Sequence, residues 1–133
     1  MYKKTIKYVD FNGAEREEDF YFHMTKAEIV KLEFSEKGGL KATLQAISET
    51  NDSKKLLELV ERIVRMSYGR RSVDGKDFIK KPEYVDAFLS SEAYSNLFID
   101  FIKDPKFGAE FINGIIKSVE IDRSANIINF KEN

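Results

Sequence analysis

The chain has no cysteine, two prolines and a single histidine among 133 residues. Without cysteine there is no disulfide framework, no thiol nucleophile and no Cys-ligated metal. A reducing cytoplasm fits that composition. No apolar run is long enough to cross a bilayer, and the opening residues Met1 to Ile6 lack the apolar centre of a secretory signal. Neither a membrane partner nor export is expected. There is also no excess of charge: 22 basic against 23 acidic residues leave a formal net charge of -1. Dedicated nucleic-acid binders carry a basic surplus, so no nucleic-acid partner is expected. No internal repeat, low-complexity linker or second domain is visible.

What is present is core material. Hydrophobic residues make up 42% of the chain, with 11 phenylalanines, enough for one domain to fold without cross-links. The segment KKTIKYVDF, then Asn12-Gly13, then EREEDFYFHM reads as a β-hairpin, because Asn-Gly suits the positive φ angles of a tight turn. A two-residue turn pairs Lys7 with Glu18, and a longer one sets Ile6 opposite Phe20. Lone hairpins are marginal in water, so Ile6, Phe20 and Phe22 are expected to pack on helices. Thr25 to Glu28 forms a capping box. From there, apolar spacing and stop signals predict helices near 26–35, 39–50, 53–68, 82–89, 92–103 and 105–117. Gly69 reads as the stop of the third helix and Pro82 as the first turn of the fourth. The tail beyond 117, with Val119, Ile121, Ile127, Ile128 and Phe130, reads either as two short strands or as a mobile end. The expected fold is α+β, mainly α, in a single domain 1–133. It has an antiparallel hairpin over 1–24, a body of five or six short helices over 25–117 and a tail over 118–133.

Chemistry is harder to find. The stretch YGRRSVDGKDFIKKPE, Tyr68 to Glu83, combines two glycines with five basic residues. A phosphate-cradling P-loop needs Ser or Thr after its lysine, and here Asp77 follows Lys76. A calcium loop needs alternating carboxylates, and Asp74 and Asp77 are wrongly spaced. The stretch therefore reads as a turn-rich connector pinned by Phe78 and Ile79. His23 has no partner set that would make it a base, and the acidic run EREED would split its carboxylates across two faces of a strand. No catalytic residue, cofactor or metal is expected. Arg70 and Arg71 suit the end of a helix or an acidic or phosphate-bearing partner. Tyr94, Leu97, Phe98, Phe101 and Ile102 follow helical spacing without a break. Most of such a stripe is core, but its aromatic density makes Tyr94, Phe98 and Phe101, with Phe107 nearby, candidates for a groove that takes a partner helix.

Several segments, in order, resemble the tail assembly chaperones of long-tailed phages and prophages of Gram-positive bacteria. They are KKTIKYVDFNGAEREEDFYFHMTKAEIVKLEFS with Gly38-Gly39-Leu40, then SYGRRSVDGKDFIK, EAYSNLF and AEFINGI, over residues 1–116. The chain continues past the point at which the resembling proteins stop. The resemblance implies a small assembly factor of the host cytoplasm, absent from the mature virion. Such a factor would hold the tape measure protein soluble and help recruit tail tube subunits. It further implies as partners the tape measure protein, the major tail tube protein, a frameshifted longer form of the chain and further copies of itself. The alternatives are a structural tail or head–tail joining subunit, or a small nucleic-acid or phosphate binder using Arg70, Arg71, Lys76, Lys80 and Lys81.

Overall fold

The computed structural model describes residues 1–123. Strands β1 (Tyr2–Val9) and β2 (Glu15–Phe22) form the N-terminal hairpin. Helices α1 (Lys26–Ser35), α2 (Leu40–Thr50) and α3 (Ser53–Ser67) follow, then strands β3 (Tyr68–Arg71) and β4 (Phe78–Ile79). Helices α4 (Pro82–Leu89), α5 (Glu92–Lys103) and α6 (Pro105–Arg123) complete the described residues. The strands make one antiparallel sheet in the order β1-β2-β3-β4.

The hairpin register differs from both expected alternatives. Lys7 faces Glu17 and Ile6 faces Glu18. The reason is Asp10, whose carboxylate accepts from the amides of Asn12 and Ala14 and from Arg16 Nε. The Gly13 amide closes back onto the Asp10 carbonyl, and Gly13 alone in this turn takes positive φ, at 82°. The result is a three-residue turn with a left-handed glycine, rather than a two-residue turn led by Asn12.

The sheet also has two strands more than expected. Gly69 is not a helix stop but a strand residue opposite Tyr21. A Cβ there would lie 2.6 Å from the Ile79 carbonyl oxygen, so β3 and β4 approach each other only because position 69 has no side chain. Helix α6 runs past the expected end at 117 to Arg123, which excludes the strand reading of Val119 and Ile121. The expectations on Ile127, Ile128 and Phe130 lie outside the described residues.

Elsewhere the helix ends follow local chemistry. Thr25 accepts from the Glu28 amide while Glu28 accepts from the Thr25 amide. Asp52 and Ser91 cap α3 and α5 through their side chains, and Pro82 opens α4.

One face of the sheet is buried and the other is wet. Ile6, Phe22 and Tyr68 point inward. Phe22 meets Phe111 edge-on at 5.0 Å and Phe88 at 5.7 Å, and Tyr68 stacks on Phe88 at 4.4 Å. Leu56, Val60, Ile63 and Val64 of α3 and Phe111, Ile112 and Ile115 of α6 join them in one core. On the outer face, Lys7 pairs with Glu17 at 3.5 Å and Lys3 with Asp19 at 3.7 Å. The outer edge of β1 is guarded by its lysines and by Asn96 of α5, which donates to the Lys7 carbonyl.

Candidate partner-binding surface

The aromatic stripe of α5 is divided by depth. Tyr94 and Phe101 are buried, at 7% and 2% exposure. Phe101 packs on Phe111, and Tyr94 on Phe88 and Phe98. These two residues belong to the core and do not line a groove, which corrects half of the expected anchor set. Burial pushes the Tyr94 hydroxyl up to about 12, with Glu61 adding to the shift and Arg65 opposing it. That hydroxyl has no hydrogen-bond partner among the described residues. Phe98 is half-buried against the core. Ile99 (45%), Ile102 (48%) and Phe107 (48%) stand exposed. Ile99 and Ile102 are three apart on α5 and therefore neighbours on its surface. Phe107 follows on the first turn of α6. Ile99 was not singled out from the sequence. The signal was there, since it is an apolar residue off the helical stripe and so off the face that packs.

The stretch 68–81 is a small hairpin, tied down by one ammonium group. Lys80 Nζ donates to the carbonyls of His23 (3.1 Å) and Met66 (2.8 Å) and to Glu28 Oε1 (2.5 Å). Burial works to raise the Glu28 carboxyl, but the Lys80 bond and the Thr25 amide outweigh it and hold the group below its ordinary range. Lys80 is therefore engaged inside the fold and is not a phosphate ligand. At the tip, the Asp74 carboxylate accepts from Ser72 Oγ and from the Lys76 amide, which lowers its pKa. Arg70 and Arg71 are exposed. They are not at a helix end. Each lies over a tyrosine: Arg70 over Tyr84 at 4.2 Å and Arg71 over Tyr21 at 5.7 Å.

Other features offer less. His23 packs edge-on to Phe78. No group of metal-ligating side chains is assembled among the described residues. Among them, too, no helix is long and apolar enough to cross a membrane. An apolar groove of about 230 Å³ lies between α2, α3 and α6, lined by Leu44, Ile47, Leu56, Pro105 and Ala109.

A family model described as phage tail assembly chaperone matches residues 1–124. The chain belongs to this family. Neither the curated proteins nor the solved structures provide a match. The tail assembly chaperone match reaches to the end of α6, beyond the last resembling segment AEFINGI, so the departure from the family pattern is confined to residues after 124. For a tail assembly chaperone the surfaces of interest are those that can hold another protein. Two are built from separate elements: the apolar ridge of α5, Phe98, Ile99 and Ile102, and the cationic hairpin with its tyrosines.

Proposed function

We propose that the protein binds the tape measure protein during tail morphogenesis in a long-tailed phage or prophage of a Gram-positive host. It keeps that client soluble in the host cytoplasm, helps recruit tail tube subunits and leaves before the virion is finished. It acts by binding alone, without catalysis, cofactor or metal.

The observation that carries the reading is the exposed apolar ridge on α5 in a member of this family. Ile99 and Ile102 lie on the solvent side of a helix whose other face is fully packed. A tape measure protein is long and helical, and its apolar stripes would self-associate before tube subunits surround them. Laying one such stripe on the ridge removes apolar area from water on both partners, at about 25 cal/mol per Å². Asp100, Lys103 and Lys106 flank the ridge and keep the free chaperone soluble.

The test is co-expression with the tape measure protein, comparing wild type with the Ile99→Glu/Ile102→Glu double variant. Both side chains are exposed, so folding should change by no more than about 0.5 kcal/mol at each site. Soluble client should fall sharply, because anchors of this kind contribute about 2 kcal/mol or more each. A folded double variant that solubilises the client as well as wild type would reject the ridge. Mass spectrometry of purified virions tests the departure of the chaperone, and finding the chain in stoichiometric amount would favour a structural tail subunit instead.

A further inference from the structure

Arg70 and Arg71 of the β3–β4 hairpin differ from Arg16, Arg62 and Arg65 in what they lack. Arg16, Arg62 and Arg65 are each paired with a carboxylate. Among the described residues no carboxylate pairs with Arg70, Arg71, Lys76 or Lys81. Two of these cations share one ring, since Arg70 lies 4.2 Å and Lys81 5.9 Å from the centre of Tyr84. We propose that Arg70, Lys81 and Tyr84 form a docking site for an acidic peptide segment of a partner protein.

The geometry is suited to carboxylates. A guanidinium stacked on a ring has its plane held while its N–H edge stays open to solvent. That edge is the part that grips a carboxylate with two parallel hydrogen bonds. Stacking also removes much of the side-chain freedom that normally weakens an exposed ion pair. The fold supports the arrangement from below. Strand neighbours point to opposite faces, so Arg70 reaches α4 and Arg71 reaches β2. Gly69 and the Lys80 ties hold β3 and β4 in register beneath them.

A protein segment fits better than a nucleic acid. Asp74 and Asp77 on the hairpin, and Glu83 and Asp86 on α4, interrupt the cations, and the whole chain carries a formal charge of -1. A continuous phosphate backbone would have to pass those carboxylates, whereas side-chain carboxylates can be spaced to avoid them. The site shares no residue with the apolar ridge, so it stands whichever client the ridge takes.

Fluorescence anisotropy with a dye-labelled oligoglutamate peptide tests the proposal, with an oligoglutamine peptide and a single-stranded DNA of equal charge as the other probes. Oligoglutamate should bind more tightly than either. The Arg70→Gln/Lys81→Gln variant should bind it about tenfold more weakly, the equivalent of two exposed ion pairs in the upper half of their range. Tyr84→Leu should weaken binding and Tyr84→Phe should not, because the ring and not the hydroxyl holds the guanidinium. Equal binding of oligoglutamate and oligoglutamine, or an unchanged affinity in the folded double variant, would overturn the site. Tighter binding of the DNA would overturn the choice of occupant.

Discussion

The β3–β4 hairpin and the α5–α6 pair are held to the rest of the molecule by opposite means. The helices are held by burial: Leu97, Phe101, Phe111, Ile112 and Ile115 are all but inaccessible and interlock with Phe22 and α3. The hairpin buries little beyond Tyr68 and Gly69. It depends on strand bonds, on a turn built around Asp74 and Ser72, and on one lysine with three acceptors. Nondirectional packing spreads its stabilisation over many contacts, whereas a polar tie concentrates it in one group. The helices should therefore fail only with the whole fold, and the hairpin can loosen alone. Both regions offer a surface, but the helical one is rigid and apolar and the hairpin is cationic and local.

The largest effect should come from cutting into the helical side. Phe111→Ala leaves a cavity beneath Phe22, Tyr2 and Phe101 and should cost about 3–5 kcal/mol of global stability in denaturant titration. A loss below about 1 kcal/mol would mean that the packing contrast is wrong.

Next comes the hairpin tie. Lys80→Met leaves the Glu28 carboxylate with the Thr25 amide alone, removes the lysine donor from two carbonyls and should cost about 2 kcal/mol. Amide exchange should speed up in β3 and β4 before α5 and α6. The same variant has a pH signature. The Glu28 carboxyl sits below its ordinary value of 4.5 in the folded protein. Its contribution is therefore present above that value and disappears as pH falls through the folded one. Wild type should lose more stability than Lys80→Met on acidification below about 4.5. Parallel curves would contradict the tie.

The smallest effect concerns Tyr94. Its hydroxyl is buried with no hydrogen-bond partner among the described residues, so Tyr94→Phe should be neutral or stabilising by up to about 1 kcal/mol. The folded pKa is raised from 10.0 to about 12. The neutral ring is favoured by folding, and its contribution is intact below pH 10 and declines as pH rises towards 12. Wild type should lose stability across that window, and the phenylalanine variant should lose less. Thermal melts across the alkaline range check this.

How much of this could be read from the chain depended on the range of the signal. Helix starts were legible because Thr25-Glu28, Asp52, Ser91 and Pro82 act on residues within one turn of themselves. The β1–β2 register was not, because Asp10 decides it through its side chain rather than through the Asn12-Gly13 pair. β4 is two residues long and carries no periodicity to detect. Lys80 reaches partners 52 and 57 positions away in sequence, which no local pattern encodes. The division of the α5 stripe follows from angle. At about 100° per residue, Tyr94, Leu97 and Phe101 cluster at the centre of the face, Phe98 lies to one side and Ile102 further round. The sequence showed five apolar residues in helical spacing, and only the packing partner decides where such a face ends.

The central claim is that the rigid apolar face, and not the exposed hairpin tip, meets the tape measure protein. A photoreactive benzoyl-phenylalanine placed at Ile102, or at the fully exposed Val73 on the hairpin, tests it in cells that express both proteins. The account predicts a covalent adduct with the tape measure protein from position 102 and none from position 73. An adduct from position 73 alone, or none from 102 while the two proteins still co-purify, would contradict it.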